Sequence, residues 1–133
     1  MNKLVDSIKK AVLDSGLHDG QTISFHHHLR NGDHVLNMVM DVIAELGIRD
    51  LTLNASSLFN CHRPLIGHIK NGVVTNIITD YMAAELGSFI SSGGMENPVQ
   101  FRTHGGRPYD IENGTTPIDV AFVAARASEP MGN

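Results

Sequence analysis

The sequence predicts an α/β protein, a three-layer sandwich built on a mainly parallel sheet. Stretches with apolar residues at helical spacing alternate with short β-branched or apolar runs, and Gly, Asn, Asp or Pro stands at most of the junctions. Near the end, "PIDVAFVAA" is an almost continuous apolar run, as expected of a strand covered on both faces in the middle of a sheet. With 133 residues, the length fits one α/β domain over residues 1–133.

Taken in order, Leu4, Val5, Ile8, Ala11, Val12 and Ser15 share a helical face and Gly16 supplies a stop, which predicts an N-terminal helix over residues 1–16. Residues 22–26 read as a strand, and "RNGD" then breaks the chain. Asp33 is placed to cap a helix running to about Leu46, with a polar stripe of Asn37, Asp41 and Glu45 on an otherwise broad apolar surface. A strand follows near Leu51–Asn54. After it comes a short helix opened by Pro64 and closed by Asn71 and Gly72, then a strand from Val73 to Ile78. Asp80 is read as the cap of the next helix, whose Ala83, Leu86, Phe89 and Ile90 share a face before Gly93 and Gly94 end it. "PVQFR" is a further strand, residues 107–113 a short helix, and "PIDVAFVAA" the last strand.

Composition excludes several classes. A net charge of −4 and ten scattered Lys and Arg give no basic footprint for nucleic acid. No apolar run approaches the roughly 18 residues that span a bilayer, and "MNKLVDSIKKAVLDSGL" lacks the continuous apolar stretch of a signal peptide. Cys61 stands alone, so no internal disulfide forms and a reducing cytoplasm is the expected location; the thiol reads as inert, with His62 beside it.

In an open parallel sheet, ligands bind beyond the carboxyl ends of the strands. Polar clusters follow those ends here: "HHHLRN" after the first strand, "NASS" after the second, "TD" after the third, "RTHGGR" after the fourth and Arg126 after the last. In an extended strand His26 and His28 share the face of Ser24 while His27 joins Ile23 and Phe25, so adjacent imidazoles point apart. Paired cysteines and HExxH are missing, and His62 and His68, six apart, fall on different helix faces, so no metal is expected. Two readings of the histidine run stay open: a strand end that hydrogen-bonds its own backbone, or an imidazole row that lines an anion-binding turn with Arg30 and Asn31. The turn His104-Gly105-Gly106 could bring backbone N–H groups to a carboxylate, or be an ordinary turn. Ser56 and Ser57 have no GxSxG context and read as loop or capping groups. Asp33 and Asp80 read as caps and Asp119 as a solubilising strand-end residue.

Together, "DGQTISFHHHLRNGDHVLNMVMDVIAELGI", "HIKNGVVTNI", "MENPV", "HGGR" and "IDVAFVAA" resemble the N-terminal part of the citrate lyase alpha-subunit family, which is itself similar to family I coenzyme A transferases. The resemblance runs from about Leu17 to near the end of the sequence. It implies a coenzyme A transferase-like half-domain and an exchange in which citrate replaces acetate on the thioester of an acyl carrier protein, giving the citryl thioester that a lyase subunit cleaves to acetate and oxaloacetate. Carried over by position, His26, His27, His28, Arg30 and Asn31 would line the substrate or thioester cleft, with His104, Gly105 and Gly106 beside it. The implied partners are citrate and acetate, the acyl carrier (gamma) subunit with its coenzyme A-like prosthetic group as thioester donor, and the lyase (beta) subunit, with self-association of this chain. No cofactor is expected to be covalently bound to it. The resemblance also implies a longer subunit with a second α/β half, where the carboxylate of the transferase relatives would lie, so no catalytic residue is assigned among Asp33, Asp80, Glu96 and Asp119, and the chain is expected to be the N-terminal portion of a two-half subunit and inactive alone. The competing expectation is a non-catalytic module that binds carboxylates or assembles subunits.

Overall fold

The computed structural model describes residues 3–26 and 30–124. Helix α1 (Ile8–Asp14) leads into β1 (Thr22–His26), a 3-10 turn (Arg30–Gly32) and α2 (Val35–Glu45). Strand β2 (Leu51–Ala55) is followed by a second 3-10 turn (Asn60–His62), α3 (Leu65–Lys70) and β3 (Val74–Thr79). Helix α4 (Ala84–Phe89) continues into a π turn (Ile90–Gly94), after which come β4 (Gln100–Phe101), α5 (Gly106–Glu112) and β5 (Val120–Val123). The strands form one parallel sheet in the order β4-β3-β2-β1-β5.

The first helix and the last strand depart from the sequence prediction in ways that matter for the fold. The first helix starts at Ile8 because the Ser7 hydroxyl accepts the Lys10 N–H and caps it there, leaving Leu4 and Val5 exposed ahead of it. The last strand lies at an edge of the described sheet rather than in its middle. Register with β1 turns Val120 and Phe122 toward the helices, with Phe122 stacked on Phe25 at 5.4 Å, while Ala121 and Val123 lie exposed on the opposite face. The run is apolar on both faces but covered on one.

The two faces of the sheet are unequal. On one, Ile23, Phe25, Leu51, Leu53, Ala55, Val74 and Ile77 form the core with Val12 of α1, Leu36, Val39, Met40 and Ile43 of α2, Leu65 and Ile69 of α3, and Leu86 of α4. The polar stripe of α2 ties this layer together. Asn37 donates to the Cys61 carbonyl at 2.7 Å, Asp41 lies 3.2 Å from His68 Nε2, and Glu45 pairs with Lys9 at 2.7 Å. The opposite face carries Thr22, Ser24, Thr52, Asn54, Asn76 and Ile78, and among the described residues only α5 and the segment after it lie on it. Handedness explains the division. The chain steps from β1 outward to β4, then returns across the whole sheet to β5, and a right-handed crossover in that reversed direction must run over the other face.

Candidate functional site

A cavity of about 160 Å³ opens at the carboxyl ends of β1, β2 and β3, lined by His26, Ser56, Asp80, His104, Arg107 and Pro108. Four separate segments contribute. His26 is the last residue of β1, Ser56 directly follows β2, and Asp80 directly follows β3. Arg107 comes from the first turn of α5, and His104 from the turn between β4 and α5. That turn is closed by Thr103, whose hydroxyl accepts the Gly106 N–H at 2.9 Å and whose carbonyl accepts the Arg107 N–H at 3.1 Å. A Cβ on Gly106 would stand 2.8 Å from the Thr103 hydroxyl, so the closure needs glycine there. Arg102, paired with Asp110 at 2.8 Å, holds the start of the turn against α5.

Asp80 is not a helix cap. Helix α4 begins later, with extended Ala83 at its cap position, and the Asp80 carboxylate turns to the cavity instead. Its Oδ1 accepts from the Ser57 hydroxyl at 2.8 Å and its Oδ2 accepts from His104 Nδ1 at 2.8 Å. A carboxylate can only accept, so Nδ1 of His104 carries the proton and Nε2 is left for solvent or a ligand. The exposed His104 ring is thereby oriented by a carboxylate that is itself 11% exposed and held by Ser57.

Arg107 enters from the polar face of the sheet. Its Nε donates to Asn54 Oδ1 at 2.5 Å, and its Nη2 donates to Ser24 Oγ at 2.7 Å and to the Asn54 carbonyl at 3.1 Å. Ser24 and Asn54 are lateral neighbours on β1 and β2, so one guanidinium spans both strands. Burial pulls the Arg107 pKa below the usual arginine value, and the field of Asp80 partly restores it.

The structure thus brings His26 and His104 to one cavity and leaves other sequence-picked residues off it. Arg30 and Asn31 sit on the exposed 3-10 turn after β1, where the Arg30 carbonyl accepts from the Cys61 thiol at 3.7 Å; neither lines the cavity. Gly105 and Gly106 shape the turn that presents His104 and Arg107 without lining the cavity themselves. His27, His28 and Arg126 lie outside the described residues. Asp33, buried, accepts the Val35 N–H at the start of α2, while its carbonyl accepts from Nε2 of the fully buried His62. Nδ1 of His62 accepts the Phe59 N–H at 2.9 Å, so this imidazole is a neutral clamp between two loops. Asp119 fastens the start of β5, accepting the Thr22 N–H at 2.8 Å and returning its own N–H to the Thr22 carbonyl. No cluster of three or more His, Cys, Asp or Glu with metal-holding geometry occurs among the described residues.

Arg107 was missed by sequence reasoning because "HGGR" reads first as a turn. A signal existed: Ser24 and Asn54 are polar residues inside apolar strands and need a buried polar partner.

A model of the family described as citrate lyase, alpha subunit, matches residues 1–133. Relatives named citrate lyase alpha chain are 52% identical in Klebsiella pneumoniae and 47% identical in Escherichia coli (strain K12), each over 131 residues that make up 98% of this chain and 26% of the relative. A solved Streptococcus mutans structure, described as the alpha subunit of citrate lyase in complex with citrate, superposes with a TM-score of 0.98 at 52% identity, covering 100% of this chain and 26% of that one. The chain therefore spans about a quarter of the length of the relatives it matches.

Proposed function

Because the chain belongs to the citrate lyase alpha-subunit family, we propose that it is the N-terminal portion of an alpha subunit that exchanges acetate for citrate on an acyl carrier protein thioester. The observation that carries this reading is the convergence of His26, His104 and Arg107, three groups able to donate hydrogen bonds, on one cavity at the carboxyl edge of the sheet. Citrate is a multiply charged anion near neutral pH, and such a cavity supplies the donors it needs.

In the proposed exchange a citrate carboxylate oxygen attacks the carbonyl carbon of the acetyl thioester. The carbon–sulfur bond breaks, releasing the carrier thiolate and leaving a mixed anhydride of citrate and acetate. The thiolate then attacks the citryl carbonyl carbon of the anhydride, and acetate departs with the bonding electrons. The thioester is carried on the coenzyme A-like prosthetic group of the gamma subunit, and the beta subunit consumes the citryl product. In this reading the residues of this chain bind and orient the anion, the transferase carboxylate comes from the remainder of the subunit, the chain has no turnover alone, and assembly takes place in the cytoplasm.

Mixing this chain with a separately produced remainder of the subunit, acetyl-carrier and citrate tests the reading. Citryl-carrier formation, followed by mass spectrometry, is expected from the mixture and from neither part alone. An assembled mixture with no exchange would leave the chain as a carboxylate-binding or assembly module.

A further inference from the structure

Resting on the reading that the cavity receives a carboxylate, we propose that Arg107 is its anchor, a guanidinium fixed in advance by Ser24 and Asn54 to hold one carboxylate group of the substrate. Arginine is almost never this buried, at 8% exposure, unless it is paired. Here every hydrogen-bond partner is neutral: the Asn54 side chain, the Asn54 carbonyl and the Ser24 hydroxyl. Asp80 lines the same cavity and its charge acts on Arg107, but its oxygens accept from Ser57 and His104 and no hydrogen bond joins it to the guanidinium.

The three bonds use three of the five N–H donors of a guanidinium. They come from Nε and Nη2, so both hydrogens of Nη1 have no partner among the described residues, and Arg107 lines the cavity. A planar group clamped along one edge by two adjacent strands cannot swing away, and its other end offers two donors with fixed direction. Preorganisation of this kind lowers the entropy lost when an anion docks. Asn54 and Ser24 are positioning residues; they touch the guanidinium and act through it.

The arrangement also predicts that charge alone is insufficient. A lysine ammonium has three donors on one atom. At position 107 it could satisfy Ser24 and Asn54 or meet the ligand, not both.

Calorimetric titration of the chain with citrate, using acetate as a one-carboxylate control, tests the assignment on wild type, Arg107→Gln, Arg107→Lys and Ser24→Ala, with folding checked by circular dichroism. Wild type is expected to bind citrate more tightly than acetate. Both Arg107 variants should weaken citrate by about 30-fold or more, the ratio expected when one partner of a buried charged contact is removed. The Arg107 guanidinium 15N resonances provide a signature that a merely structural role would not produce: citrate should shift Nη1 in wild type and shift it less in Ser24→Ala. Citrate affinity unchanged in folded Arg107→Gln overturns the proposal, as does a folded wild-type chain that binds neither carboxylate. The broader reading fails separately. Citrate binding that depends on Arg107, without any exchange in the recombined enzyme, keeps the anchor and removes the transferase assignment. Exchange with a citrate KM indifferent to Arg107→Gln does the reverse.

Discussion

The two faces of this sheet answer the same need for burial in opposite ways. Toward α1–α4 the strands present Ile, Leu, Phe and Val, and apolar packing joins the sheet to the helices. Toward α5 they present Thr, Ser and Asn, and the helix is fastened by an arginine that spans two strands. The first arrangement is tolerant: apolar side chains of about the right volume fill the same space. The second is exacting, because each buried polar group needs its particular partner. Apolar packing is thus concentrated on one side of the sheet and buried hydrogen bonding on the other. The candidate cavity lies where the polar face reaches the carboxyl ends of the strands.

The contrast can be broken most forcibly from the apolar side. Leu36→Ala removes a fully buried side chain from α2 and should lower the unfolding free energy by about 2–5 kcal/mol in urea titration, while the citrate affinity proposed above is unchanged in the folded fraction. A smaller loss, about 1–3 kcal/mol, is expected of His62→Leu, because the Phe59 N–H would lose its partner while the Asp33 carbonyl keeps the Cys61 thiol. On the polar face, away from Arg107, Thr52→Val should change stability by no more than about 0.5 kcal/mol, since its surroundings are partly open to solvent. An effect of the size seen for Leu36 would erase the distinction between the faces.

The smallest effect concerns Cys61. Burial, and secondarily the nearby Asp33 charge, push its thiol above the usual cysteine value. A raised folded-state pKa means that the unfolded chain loses this proton first. The corresponding stability is fully present below the unfolded thiol pKa and is lost as pH rises through the folded value. Denaturation midpoints should therefore fall slightly on the alkaline side in wild type and less in Cys61→Ala, and iodoacetamide should label native Cys61 slowly at neutral pH.

Much of the architecture could be read from local signals. Residues 22–26 match β1, and Pro64 with Asn71 and Gly72 bracket α3, because the chemistry of those breaks is contained in a few neighbouring residues. Topology was less accessible. The apolar pattern of "PIDVAFVAA" specifies a strand without saying which neighbours it has, and only the register with β1 shows that Ala121 and Val123 face outward. The candidate site was half legible. His26 and His104 stood out as chemical types, whereas Asp80 looked like a cap since acidic residues before helices usually are. The partner that claimed it, His104, is 24 positions away. Arg107 was invisible for the same reason, its acceptors lying 53 and 83 positions distant.

Strand β5 pairs with β1 along one side, and among the described residues nothing pairs with its other side. Amide hydrogens alternate between the two sides of a strand, so every second one along Val120–Val123 points away from β1. Those hydrogens should exchange with deuterium far faster than their inward neighbours for as long as that flank stays bare. A loss of the alternation on adding another polypeptide would report, residue by residue, that a new strand had been laid alongside.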